Sequence, residues 1–245
     1  MAQTLPTRTI RSINYGTRAK IGMMFPSANF VAEPQMNAML PAGVSLHATR
    51  LHLDSDNFMS MLERTEEAAG LLADAEVDVI AFHCTGVTMY DLSVVDQVKR
   101  RIASVTPIKT VVTADAVVEA LERFGATRIV LVTPYLQDTN EREKAFLAHH
   151  GVTVLADRGL QLSSAAAFGA VTPQQWYDHV LAMQRPDADA YFLSCTAIKS
   201  SEAIDALEAE LGKPVISSNQ VVLWAALRAA GITEPIPGFG SLMAG

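Results

Sequence analysis

The residues in this chain best suited to chemistry are its two cysteines, Cys84 and Cys195, and they occur in the same local setting. Asp78-Val-Ile-Ala-Phe-His-Cys84-Thr85-Gly86 aligns without a gap on Asp189-Ala-Tyr-Phe-Leu-Ser-Cys195-Thr196-Ala197. Removing a proton beside a carboxylate, or adding to an activated double bond, needs a base or nucleophile usable near neutral pH. A thiol is close to that window, and the N–H groups of a turn lower its pKa further. One buried cysteine at a strand end commonly does no more than fill space. Two in register within a repeated motif, with no third in the chain, favour function over packing. Thr85 and Gly86, then Thr196 and Ala197, place a hydroxyl and open backbone N–H groups where a carboxylate could be held.

These motifs sit in an alternation of short apolar runs and helical patterns, the mark of βαβ units and a parallel sheet. Strands are expected at residues 20–25, 45–51, 77–82, 108–112, 128–132, 153–156, 188–193 and 215–216. Helices are expected at 58–75, 92–103, 114–124, 140–149, 173–183, 201–211 and 220–230, several ending at a glycine such as Gly125 or Gly212. The repeat extends beyond the cysteines. Ile21-Gly-Met-Met-Phe-Pro26 resembles Ile129-Val-Leu-Val-Thr-Pro134, and the run from Thr110 to Val118 resembles that from Pro214 to Val222. The expected fold is therefore α/β with two pseudo-symmetric lobes, each a parallel sheet flanked by helices, and the active site in the cleft between them. The division is an N-terminal arm at 1–18, a first lobe at 19–115, a second lobe at 116–222, and a segment at 223–245 that crosses back to the first. Ligands of open parallel sheets bind beyond the carboxyl ends of the strands, where both cysteines fall.

Bulk properties exclude several classes. In 245 residues a hydrophobic fraction of 49% gives a substantial core, and 18% charged residues is too few for a solvated scaffold. A net charge of -7, with no basic cluster longer than Lys99-Arg100-Arg101, argues against a nucleic-acid partner. No apolar run reaches the ~18 residues of a membrane span. The stretch from Met1 to Lys20 reads as a polar arm rather than a signal peptide, so a cytoplasmic protein with reduced thiols is expected. None of the six histidines shows the paired helical spacing of a zinc hydrolase, and neither glycine-rich nucleotide fingerprint is present, so no metal and no cofactor is expected. His83 should point away from Cys84 as a packed residue. Met23, Met24, Phe25 and Met89 are expected chiefly in the core.

The duplicated cysteine motif, the opening Gly22-Met-Met-Phe-Pro26-Ser27-Ala28-Asn29, Thr133-Pro134-Tyr135 and the Pro237-Gly-Phe-Gly240 tail resemble the aspartate/glutamate racemase superfamily. The resemblance is closest to its maleate cis–trans isomerase and arylmalonate decarboxylase branch and runs from about Lys20 to Gly245. It implies Cys84 as nucleophile on an alkene carbon and Cys195 as the group that delivers or removes the proton. It also implies Asn29 and Tyr135 as carboxylate-binding residues and Thr85, Gly86, Thr196 and Ala197 as an oxyanion-binding ring. Ser27 has no Gly-x-Ser-x-Gly elbow around it and reads as a hydroxyl donor to substrate rather than a nucleophile. Arylmalonate decarboxylases carry Gly in place of the first cysteine, so Cys84 argues for two-sided chemistry. The segment Leu160-Gln-Leu-Ser163-Ser164-Ala165 lacks the Asn that isomerases use for the distal carboxylate. The function implied is a maleate isomerase-like reaction on a small (di)carboxylate. The alternatives are a racemase or an arylmalonate-type decarboxylase working through an enediolate, or a carboxylate-binding relative without turnover. A homodimer is expected from the fold class alone, since no sequence feature demonstrates it.

Overall fold

The computed structural model describes residues 13–54 and 57–245, so most of the expected N-terminal arm lies outside the described residues. Eight strands form two parallel sheets. The first contains β1 (Ala19–Pro26), β2 (Val44–Leu51), β3 (Val79–Phe82) and β4 (Lys109–Val112), in the order β2-β1-β3-β4. The second contains β5 (Arg128–Thr133), β6 (Thr153–Gly159), β7 (Ala190–Leu193) and β8 (Val215–Ser217), in the order β6-β5-β7-β8. The two orders are the same once each half is renumbered, as the internal repeat requires. In each, the chain leaves the first strand for one side of the sheet and returns on the other. The crevice at that switch point is where open α/β sheets bind ligands. It lies at Pro26 and Cys84 in the first sheet, and at Thr133 and Cys195 in the second.

The central strands β3 and β7 are buried at every residue, as expected for Val-Ile-Ala-Phe and Ala-Tyr-Phe-Leu runs covered on both faces. Helices α1 (Ala32–Met39), α2 (Thr65–Asp74), α3 (Thr85–Thr88), α4 (Val94–Ala103) and α5 (Thr113–Arg123) belong to the first half. Helices α6 (Gln137–His149), α7 (Ala165–Ala170), α8 (Pro173–Leu181), α9 (Ile204–Leu211), α10 (Ser218–Ala229) and α11 (Ser241–Ala244) follow. All eight expected strands are present. The single helix expected at 58–75 is instead a 3-10 turn, Phe58–Leu62, followed after Glu63 and Arg64 by α2, with the Asn57 side chain accepting from Met59 N–H at the start of the turn. Helices α1, α3, α7 and α11 had no counterpart in the sequence pattern. In α1, Pro34 sits in the first turn, where its missing N–H costs nothing, although in sequence it reads as a breaker.

Alternation along the second sheet divides the core. Ile129, Leu131, Ala190, Phe192 and Ile216 face a large cluster that includes the first sheet, α5 and α10. Val130, Val132, Tyr191, Leu193 and Val215 face a smaller cluster under α8 and α9. Helix α10 follows the last strand of the second sheet yet packs against α5, β3 and β4 of the first half. The return crossing thus begins at Ser218. The tail binds both halves: Leu242 and Met243 enter the large cluster, while Ser241 N–H and Oγ bond Glu208 of α9 at 2.7 and 2.8 Å. No helix among the described residues is long and apolar enough to cross a membrane.

Candidate active site

Cys84 ends the buried run of β3 and is the residue from which α3 springs, in an ordinary extended conformation (φ -161°, ψ 110°). The N–H groups of Gly86 and Val87, free at the start of that helix, point to its sulfur. Cys195 follows β7 but no helix succeeds it, and its φ is +144°. Side chains rarely occupy that region, and such a conformation persists only where surrounding bonds fix it. Those bonds are on both sides. Cys195 N–H donates to Ser218 Oγ at 3.1 Å, and Ser194 Oγ donates to Glu143 Oε1 at 2.8 Å. The sulfur accepts from Ala197 N–H at 3.3 Å and from the Tyr135 hydroxyl.

Both thiols line one cavity of about 700 Å³. Burial pushes each up to about 12, against which the N–H donors and, at Cys195, the Tyr135 hydroxyl act to lower it. Each is thus a neutral thiol at neutral pH, and these donors govern how readily it becomes a thiolate. Burial and the neighbouring thiols also push the Tyr135 hydroxyl well above its ordinary value, keeping it a donor. Tyr135 is held from below: its N–H donates to Thr133 Oγ1 at 3.1 Å, and Thr133 bonds Asn140 of α6. Gly159 closes this corner, because a Cβ there would lie 2.6 Å from the Tyr135 carbonyl oxygen.

Of the residues singled out in the sequence, Cys84, Cys195, Asn29, Gly86, Tyr135, Thr196 and Ala197 line the cavity. Ser27 and Thr85 do not. Ser27 is exposed at the end of β1, its N–H bonded to Leu51 O at 2.8 Å, and it takes no part in the lining. Thr85 is fully buried, and its hydroxyl donates to Ser218 Oγ at 2.8 Å, the same oxygen that holds Cys195 N–H. Thr85 is therefore a support for the opposite cysteine. Asn29 faces the cavity but is already committed. Its Oδ1 accepts from Val31 and Ala32 N–H at the start of α1, and its Nδ2 donates to Thr196 O and Oγ1, both at 3.0 Å. It ties the two halves together across the cleft.

The remaining wall is apolar in large part: Leu53, Phe58, Leu136, Leu162 and Phe168, with Ser163 and Ser164 between them. Leu162, Ser163 and Ser164 belong to the segment that lacks the isomerase Asn, whereas Leu53, Phe58, Leu136 and Phe168 gave no signal in the sequence; Met23, Met24, Phe25 and Met89 are buried and line no part of this cavity. The charged residues of the lining are Asp54 and Asp138, so an anionic ligand meets neutral donors rather than a lysine or arginine. His83 faces away from the cavity, with Nδ1 3.0 Å from Thr113 Oγ1 and Nε2 2.8 Å from Asn219 Oδ1. Burial lowers it to about 4 and holds the imidazole neutral. Glu143, Ser218 and Asn219 also escaped the sequence reading, because each reaches the cysteine turns from a helix remote in the chain.

Comparison with known proteins places this arrangement. Residues 21–243 match the model of a family described as arylmalonate decarboxylase. The chain is 31% identical over 231 residues to the arylmalonate decarboxylase of Bordetella bronchiseptica, across 91% of this chain and 95% of that protein. It is 28% identical over 243 residues to the maleate isomerase of Pseudomonas putida, across 92% and 97%. Among solved structures, a mutant maleate cis–trans isomerase of Nocardia farcinica with a covalently bound succinylcysteine intermediate superposes with a TM-score of 0.86. That match has 26% identity and covers 92% of this chain and 98% of the other.

Proposed function

The chain belongs to the arylmalonate decarboxylase family, and we propose that it is a cofactor-independent, cysteine-based isomerase of a small dicarboxylate of the maleate type. The observation that carries this reading is two thiols on one cavity, each with its own N–H donors and each at the carboxyl end of a central strand. Cys84 first loses its proton to solvent; its thiolate then adds to one alkene carbon as Cys195 gives its proton to the other, leaving a saturated adduct on Cys84 and a thiolate on Cys195. Rotation about the new single bond and the reverse steps release the trans isomer. The proton returns to Cys195 and the electron pair to Cys84, so nothing is consumed. The Tyr135 hydroxyl and Ala197 N–H stabilise the Cys195 thiolate formed midway. Carboxylate oxygens accept from the hydroxyls of Thr196 and Ser163 on the cavity wall. Asn29 joins them by exchanging its Thr196 hydroxyl contact for substrate.

The apolar wall of Leu53, Phe58, Leu136, Leu162 and Phe168 favours a second reading, a racemase or decarboxylase of a carboxylate with an aryl substituent. Proton NMR in deuterated buffer separates the two, with maleate, an arylmalonate and a chiral arylpropionate as substrates. Fumarate forming from maleate, and falling by roughly 10³-fold or more in Cys84→Ala, supports the isomerase. Silence with maleate, together with deuterium entering the arylpropionate α-carbon, sinks it in favour of the second reading.

A further inference from the structure

Glu143 projects from α6 to the back of the cysteine turns and lines no part of the cavity. It is 1% exposed. Its Oε1 accepts from Ser194, the residue before Cys195, and its Oε2 has no hydrogen-bond partner among the described residues. A carboxyl left half-bonded in the interior costs stability and calls for a reason. Among the described residues no cation pairs with it. Its neighbours on α6 turn outward: Arg142 lies over the Tyr90 ring, and Lys144 bridges Asp157 of β6 and Glu141. The groups that feel its charge are instead Cys84 before α3, Tyr135 after β5 and Cys195 after β7, and a negative charge at Glu143 raises the pKa of all three.

We propose that Glu143 is a positioning residue for the thiol pair. As a neutral carboxyl it anchors the strained turn carrying Cys195 and leaves the space behind the cavity uncharged; as a carboxylate it suppresses thiolate formation at both cysteines. Burial pushes this carboxyl up to about 8, opposed by the Ser194 hydrogen bond, so the neutral form prevails at neutral pH. The consequence is an upper pH boundary on thiol reactivity that belongs to neither thiol. The inference rests on the two cysteines being the reacting groups, but its test needs no substrate, so its failure is distinct from a failure of maleate turnover.

The test is iodoacetamide alkylation of Cys84 and Cys195 in the intact chain between pH 6.5 and 9.5, resolved by peptide mass. In the native protein the rise of rate with pH should flatten above about pH 8. Glu143→Gln stays neutral, so both thiols should react about three- to tenfold faster than native at pH 9 and equally at pH 6.5. A purely structural role would change the rates by one factor at all pH values, and that result, or coincident profiles, overturns the proposal. Should Glu143→Gln fail to fold, Ser194→Ala replaces it. Loss of that hydrogen bond moves the carboxyl, and with it the flattening, to higher pH, and an unmoved break overturns the proposal equally.

Discussion

The two cysteine turns carry nearly the same sequence and are built differently. Cys84 has relaxed extended backbone, a helix beginning behind it and two backbone N–H groups on its sulfur. Cys195 has φ +144°, no following helix, one backbone N–H and the Tyr135 hydroxyl. The residues before them diverge as well: His83 bonds Thr113 and Asn219, whereas Ser194 bonds Glu143. Duplication supplied two strand ends, and the packing around them made the thiols unequal. A fixed nucleophile suits the first setting. The second, with a side-chain hydroxyl on its sulfur, suits a group that must exchange a proton.

The difference between the halves predicts opposite pH dependences of stability. His83 sits near 4 in the folded protein against an ordinary 6.5, so the unfolded chain binds the extra proton between those values. Its contribution is intact above pH 6.5 and is lost as pH falls toward 4, by about 3 kcal/mol in all. Glu143 sits near 8 against 4.5, so there the folded chain binds the extra proton. Stability from this group is full below pH 4.5 and is lost as pH rises through 8, by up to about 5 kcal/mol. Between pH 4.5 and 6.5 the two slopes oppose each other. Urea unfolding across pH 4 to 9 should show a shallow middle flanked by decline on both sides. Glu143→Gln should remove the alkaline decline and leave the acid one; loss of both together, or of neither, would show that the halves are not separately tuned.

The frame that sets up this comparison was legible and its tuning was not. The central strands β1, β3, β5 and β7 could be placed because each is a short apolar run closed by a turn, as buried parallel strands must be, and the more polar edge strands followed from the strand–helix alternation around them. The duplicated motif pointed to Gly86, Thr196 and Ala197 beside the cysteines, and the family resemblance to Asn29 and Tyr135, and all five line the cavity. Thr85 and Ser27 went astray because sequence gives a residue's place in a turn but not the direction of its hydroxyl. Thr85 turns inward to Ser218, and Ser27 outward to solvent. Glu143 was hidden in Asn140-Glu-Arg-Glu143-Lys144, where it looks like one more charge on a solvated helix face. On α6 it shares the buried face with Asn140, Phe146 and Leu147, which Glu141 does not.

The contrast at the sulfurs sharpens with Tyr135→Phe. That substitution removes a donor from Cys195 and none from Cys84, so at pH 7.5 alkylation of Cys195 should slow by roughly tenfold, with Cys84 changed far less. Equal slowing at both sites would mean that the ring acts through packing, against Phe168 for instance, rather than through its hydroxyl.

The smallest effect isolates the backbone. Replacing either cysteine by glycine deletes the same side chain from positions that are 6% and 4% exposed, so the loss of burial nearly cancels between the two. The cost of fixing a glycine is also common to both. What differs is that glycine accepts φ +144° freely and cysteine does not. Cys84→Gly should therefore destabilise the fold by about 1–2 kcal/mol more than Cys195→Gly, a difference equal to the strain released at the second site. Urea midpoints at pH 6, where the His83 and Glu143 slopes are opposed, measure it directly. Equal destabilisation would mean that the Ser218 and Glu143 contacts hold the second turn without strain, and the Tyr135 hydroxyl rather than the backbone would then set Cys195 apart from Cys84.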